Sequence, residues 1–264
     1  MIRVAVCGAF GKMGREVLKA VHNDAELALV GASDVKSDSV DVGDLIGVGK
    51  TGVITGNHLE TVIRESRPQV LVDFTRPESV LQNMQIAIAN GVCPVVGTTG
   101  LAEADMALIR QLCHDRGVNA FIAPNFSIGA VLMMRLAKEA AAVFPHVEII
   151  ELHHDQKLDA PSGTALRTAE LLLEARGEMP QGHPQESEKL LGARGGETGG
   201  IRIHSVRLPG YVAHQEVIFG GSGQTLTIRH DSISRESFMP GVVLACKKVL
   251  TIDGLVIGLE NIIE

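Results

Sequence analysis

The sequence predicts an α/β protein: an N-terminal parallel sheet wound with helices, joined to an α+β domain with a mixed sheet. Three observations carry this. Short apolar runs alternate with helix-length stretches through the first half. A glycine-punctuated turn, with Gly8, Gly11 and Gly14 at intervals of three, follows the first apolar run and opens a helix. Past residue 200 the pattern changes to three strand-like runs separated by Pro-Gly and Gly-Gly-Ser-Gly turns.

The elements follow in order. Ile2 to Cys7 is the first strand, ended by Gly8, and Arg15 to Val21 is the helix beyond the turn. Each glycine has its own need: the first turns the chain, the second lets backbone approach a pyrophosphate, and the third lets helix and strand pack closely. The helix N-terminus then faces the phosphates. Leu27 to Ala32 is a second strand that ends near Asp34, whose carboxylate can accept from adenosine ribose hydroxyls or simply cap the strand. Strand, glycine turn, helix, strand and acid together make a Rossmann-like dinucleotide domain. Gln69 to Asp73, Cys93 to Gly97 and Val118 to Ala123 continue its buried strands, with helices over Pro77 to Asn90 and Ala102 to Arg116. In such a sheet the ligand lies beyond the strand C-termini. The tips there are Asp73-Phe74-Thr75, Gly97-Thr98-Thr99-Gly100 and Ala123-Pro124-Asn125-Phe126. Gly, Thr, Asn and Pro are ordinary turn formers, but three such tips in succession suit a nicotinamide ribose and carboxamide.

The second half opens with a helix over Ile128 to Val143 and a strand over Val147 to His153. That strand delivers His153 and His154, and Lys157 follows within the segment ELHHDQKLDAPSGT, residues 151–164. Two histidines and a lysine near a loop are ordinary surface groups in most proteins. Here Ser162 has the chemistry of a helix N-cap, and the first N–H groups of the helix, near Gly163 and Thr164, would point at an incoming carboxylate. The segment therefore suits a small, multiply charged anion. No metal is expected, because lysine is a poor ligand and no Cys or His pair has zinc spacing. Residues 178–200, rich in Gly, Pro and charge, read as a lid or an inter-strand excursion that is mobile without ligand. Ile201 to Leu208, Val212 to Phe219 and Gln224 to His230 read as an antiparallel meander that Val147 to His153 extends. Helices cover one face of this sheet, leaving the other to pair with a further subunit, so a homo-oligomer is expected. Pro240 then opens a last helix that returns to the first domain. The expected boundaries are 1–126 with 236–264 for the dinucleotide domain, and 127–235 for the substrate and oligomerisation domain. Crossings near Phe126 and Arg235 would form a hinge.

Composition bounds the function. A net charge of -7 argues against nucleic acid, and 45% apolar with 21% charged residues is ordinary for a globular protein. No apolar run is long enough to span a membrane. Cys7, Cys93, Cys113 and Cys246 are scattered without a CxxC pair and read as free thiols. The opening MIRVAVCG runs straight into a strand, so a cytoplasmic protein is expected.

The motifs VAVCGAFGKMG, DFTRPE, GTTG, APNFSIG, ELHHDQKLDAPSGTA and GQTLTIRHDSISRESFMPGV together resemble the dihydrodipicolinate reductase family over essentially the whole chain. HHxxKxDxPSGT is the most specific of them. The resemblance implies reduction of 4-hydroxy-tetrahydrodipicolinate, a small dicarboxylate, with loss of water, on the diaminopimelate route to lysine. It implies that Gly8, Ala9, Phe10, Gly11, Lys12 and Met13 bind the dinucleotide phosphates. Gly97, Thr98, Thr99, Ala123, Pro124, Asn125 and Phe126 would line the nicotinamide side. His153 stands at the family's general acid and Lys157 at a second proton donor, while His154, Gly163 and Thr164, with Ser162 beside them, hold the dicarboxylate. It also implies that the homo-oligomer is a tetramer. Some members carry arginine directly after the acidic ribose residue, where this chain has Val35; Lys36 and Lys12 still supply positive charge, and use of both NADH and NADPH is expected. A rival, another Rossmann-fold NAD(P)-dependent dehydrogenase acting on a small carboxylate, must explain the SGT helix start differently. A redox-sensing regulator would need a DNA-binding helix pair and a basic face, which the sequence lacks.

Overall fold

In the computed structural model, which describes every residue except Asp38 and Glu264, the first apolar run forms β1 (Ile2–Cys7) and takes Val4, Ala5 and Val6 wholly out of solvent. Each such valine contributes roughly 1.5–3 kcal/mol by leaving water. The glycine turn leads into α1 (Lys12–Asn23), whose buried residues Gly14, Val17, Leu18 and Val21 recur at helical spacing and face the sheet. The chain continues through β2 (Leu27–Ser33), α2 (Val42–Ile46), β3 (Thr55–Gly56), α3 (Leu59–Ser66), β4 (Val70–Asp73), α4 (Pro77–Ala89), β5 (Cys93–Val96), α5 (Glu103–Arg116) and β6 (Ala120–Ile122). Elements as short as α2 and β3 carry too few residues for periodicity to reveal them.

There follow α6 (Ile128–Ala141), β7 (His146–His153), α7 (Gly163–Arg176), β8 (Gly196–Thr198), β9 (Ile201–Arg207), β10 (Ala213–Gly221) and β11 (Gln224–Ser232). The chain ends with α8 (Met239–Lys248), which has proline in its first turn, and β12 (Leu255–Ile257). Two compact units result: Met1–Ile128 with Phe238–Glu264, and Gly129–Ser237.

The first unit holds a seven-stranded sheet in the order β12-β6-β5-β4-β1-β2-β3, every neighbour parallel. Strand order reverses between β1 and β4. The C-terminal ends of those two strands flank the crevice where a doubly wound sheet binds ligands.

The second unit holds a five-stranded mixed sheet in the order β11-β10-β7-β9-β8. The expected meander is corrected here: β10 and β11 do form an antiparallel hairpin, but β7 lies between β9 and β10 and runs parallel to β9. Residues 208–212 cross the end of β7 instead of closing a tight turn. At ~3.3 Å per residue they reach well beyond the ~9.6 Å of two strand spacings. The 178–200 segment is also more tied down than expected. Its Gln181 amide mimics a strand peptide, accepting from Val147 N–H (3.1 Å) and donating to Val147 C=O (2.8 Å). Arg194 pairs with Glu148 (2.5 Å), and β8 joins the edge of β9.

Candidate active site

The hydride side of the expected chemistry lies in the first unit. Gly8 has a φ of +84°, and a Cβ there would stand 2.6 Å from the Phe74 carbonyl oxygen, so no other residue fits without a shift. A Cβ at Gly14 would strike the Gly8 carbonyl, which is how the helix start packs directly on the turn. No side chain caps α1 at Gly11, and its first turn holds no acid. Its leading N–H groups and the positive end of its dipole are thus offered to an anion. Asp34 braces the turn: its Oδ2 accepts from Phe10 N–H (2.9 Å) and its Oδ1 from Lys36 N–H (2.9 Å). Gly11 and Lys12 are exposed, Ala9 is buried, and Val35 is 88% exposed.

Met13, Gly97, Thr98 and Thr99 come together around a cavity of about 270 Å³, with Phe74, Thr75 and Pro77 completing its wall. Asp73 organises that wall from beneath. It is buried, and it accepts from Thr75 N–H (2.9 Å), Thr75 Oγ1 (2.7 Å), Thr98 Oγ1 (3.0 Å) and Asn83 Nδ2 (2.8 Å). The tip of β4 is thereby tied to the tip of β5. Gly97 leaves room for the Phe74 ring, which a Cβ would overlap. Phe126 packs its ring 5.7 Å from Phe74 and 5.9 Å from Phe121, within the core. Only its backbone is left to meet a ligand. Ala123 is buried, Pro124 is exposed, and the Asn125 side chain accepts from Ser127 N–H (2.9 Å). An uncapped helix start, a glycine cradle and a braced acid fit a dinucleotide.

The groups expected to handle the proton lie in the second unit. Along β7 the side chains alternate, so Val147, Ile149, Glu151 and His153 share one face. Their partners in register change in step: Phe219, Val217 and Gln215 on β10 oppose Val147, Ile149 and Glu151, while Ile203, Ser205 and Arg207 on β9 lie beside Ile149, Glu151 and His153. The face is apolar at one end and charged at the other. Glu151 is fully buried, and Arg207 grips it with two hydrogen bonds (2.7 and 2.9 Å). His153 Nδ1 lies against Glu151 Oε2, and Ser162 N–H reaches Glu151 Oε1 (3.3 Å). Burial alone would raise this carboxyl, but hydrogen bonds from His153, Arg207 and Ser205 bring it down to about 2.

Arg207 also donates to the Asp159 carbonyl (2.8 Å), and the Asp159 carboxylate accepts from Lys157 Nζ (2.7 Å). Lys157 pulls that carboxyl below the ordinary range. His154 follows His153, and its carbonyl accepts from Lys157 N–H (3.2 Å). Ser162 is the N-cap of α7, with Oγ accepting from Ala165 N–H (3.2 Å). A side chain at Gly163 would meet open space, and the Thr164 carbonyl accepts from Thr168 Oγ1 (2.7 Å). His153, Lys157 and Ser162 are therefore joined through Glu151, Arg207 and Asp159. Sequence reading placed Asp73 at a strand tip and Glu151 and Asp159 within the histidine segment, but gave none of them, nor Arg207, a role. For Glu151 a signal exists: period two in HVEIIELH turns a carboxylate inward, and a buried charge needs a cation. Nothing in the sequence says that the cation is Arg207.

Residues 2–126 match the N-terminal domain, and residues 129–263 the C-terminal domain, of the family described as dihydrodipicolinate reductase. The 4-hydroxy-tetrahydrodipicolinate reductase of Desulfitobacterium hafniense is 59% identical over 264 residues, covering 100% of this chain and 99% of its own. That of Halalkalibacterium halodurans is 55% identical over 264 residues, covering all of both. A dipicolinate-bound dihydrodipicolinate reductase from Paenisporosarcina sp. TG-14 superposes over 100% of both chains with a TM-score of 0.89 at 47% identity. With both halves matched, and relatives more than half identical from end to end, this chain belongs to the dihydrodipicolinate reductase family.

Proposed function

We infer that the chain reduces 4-hydroxy-tetrahydrodipicolinate to tetrahydrodipicolinate, adding one hydride and one proton and releasing water, on the diaminopimelate route to lysine. The observation that carries this is the buried Glu151–Arg207 pair holding His153, with Lys157 and the Ser162 helix start linked to the same network, in a chain of this family. A reduced nicotinamide supplies the hydride when bound. Gly8 to Met13 and the α1 N-terminus would hold its phosphates, Asp34 its adenosine ribose, and Gly97 to Thr99 with Ala123 to Phe126 its nicotinamide side. His153 donates the proton, Lys157 is the second donor, and His154 with Ser162, Gly163 and Thr164 binds the two carboxylates. Dipicolinate, which the Paenisporosarcina relative binds, is a ring dicarboxylate of the same type.

The test supplies the product of the preceding synthase and follows loss of reduced-nicotinamide absorbance. Absence of substrate-dependent oxidation removes the reading. Both NADH and NADPH serve, because Val35 offers no charge to a 2'-phosphate while exposed Lys12 and Lys36 do. Initial rates with the two cofactors are expected within about a thousandfold, roughly 4 kcal/mol of discrimination. We place the chain in the cytoplasm, in keeping with four buried, free cysteines. Among the described residues no helix is long and apolar enough to cross a membrane. The exposed edge strand β11 supports a homo-oligomer, a tetramer of four 28.1 kDa chains.

A further inference from the structure

We propose that Glu151 is a positioning residue for the proton donor: its carboxylate fixes the proton of His153 on Nδ1 and turns Nε2 outward to the substrate. The inference deepens the reading above, since it takes His153 as the donor. It stands on placement. Glu151 is fully buried on the core face of β7, two residues before His153 and on the same side of the strand. A carboxylate there is costly to bury unless it is paired, and Arg207 pairs it through a planar two-point contact. With both oxygens engaged by Arg207, Oε2 also meets His153 Nδ1 and Oε1 meets Ser162 N–H. An ionised carboxylate only accepts, so the nitrogen facing it carries the proton. An isolated imidazole favours the other tautomer, so this arrangement is imposed by the protein.

The charges around His153 are divided among several elements. Glu151 is on its own strand, Arg207 is its register partner on β9, and Lys157, paired with Asp159, is in the loop that follows together with His154. On β10 its partner is Ala213, which does not titrate. Arg207 neutralises Glu151, so protonated His153 adds a net positive charge that suits a dianionic substrate. Glu151, held down to about 2, keeps its charge throughout the working range.

The consequence is specific to this arrangement. In Glu151→Gln the carboxylate facing Nδ1 becomes an amide, which can accept or donate, so the proton is no longer held on Nδ1. Expected is a fall in kcat of about tenfold or more with KM within roughly threefold. The measurement that separates this from a merely structural role is nitrogen-15 NMR of selectively labelled histidine in the ligand-free native protein and in Glu151→Gln, with His153→Asn assigning the signal. Neutral His153 is expected as the Nδ1–H tautomer in the native protein and with the Nε2–H tautomer populated in the variant. A folded Glu151→Gln protein whose His153 keeps the native tautomer overturns the proposal, and so does a native His153 whose proton sits on Nε2. If Glu151→Gln does not fold, the native tautomer alone decides. If the native chain fails to oxidise reduced nicotinamide with this substrate, the proposed function falls, while the tautomer still judges the placement of His153.

Discussion

Lys157 and His153 differ in how they are held, and their substitutions should differ accordingly. Lys157 Nζ rests on an exposed partner, Asp159, at 2.7 Å, whereas His153 leans on a carboxylate with no exposure at all. A lysine so held can exchange one carboxylate for another, so Lys157 is free to follow the substrate. We expect Lys157→Ala to lower kcat by about 100- to 10,000-fold, the usual range for a lost proton donor. Cofactor affinity, read from the fluorescence of the bound reduced nicotinamide, should stay within about threefold. An equal loss of cofactor binding would remove the role given to Lys157. The residue types of this site are visible in ELHHDQKLDAPSGT because His and Lys suit proton chemistry, and Ser is a favoured helix N-cap. Arg207 is not visible there, since it lies 56 positions from Glu151 and only strand pairing brings it back.

Among the elements, the tips of β4 and β5 form one unit through Asp73. A buried carboxylate with four donors around it works as a clamp: without it, Thr75 and Thr98 lose the acceptor they share, and Asn83 keeps only the longer contacts to Thr75 Oγ1 (3.4 Å) and Cys7 Sγ (3.6 Å). Asp73→Ala should lower unfolding free energy by about 3 kcal/mol in urea titrations and weaken binding of reduced nicotinamide, since Thr98 is no longer held in the cavity wall. A loss under roughly 1 kcal/mol would show that the clamp is dispensable. The strands and long helices of this domain were legible because period and length identify them, and DFTRPE and GTTG marked the tips. That one carboxylate joins two tips is a fact of strand order. Likewise, the chain order β9 then β10 suggested a meander, yet β7 lies between them, antiparallel to β10 and parallel to β9.

For the molecule as a whole, the second unit carries a pH dependence that follows from Glu151. Its carboxyl lies at about 2 in the folded chain against an ordinary 4.5. A carboxyl lowered by folding adds stability above its unfolded value and loses it as pH falls toward the folded one. Unfolding free energy should therefore drop between pH 4.5 and about 2, and Glu151→Gln should flatten that slope; an unchanged slope would mean that the pair adds nothing. The sequence alone determined the α/β class, the glycine turn with its acid and the N-cap at Ser162, and it marked His153 and Lys157 as candidate proton-transfer groups. These depend on local geometry and on residue type, which a short stretch records. Tertiary structure decided which cation neutralises Glu151, which strand stands between β9 and β10, and how Asp73 ties two loops together. Those are matters of strand pairing over long separations, and pairing is chosen by burial across the whole sheet, which no single stretch of sequence records.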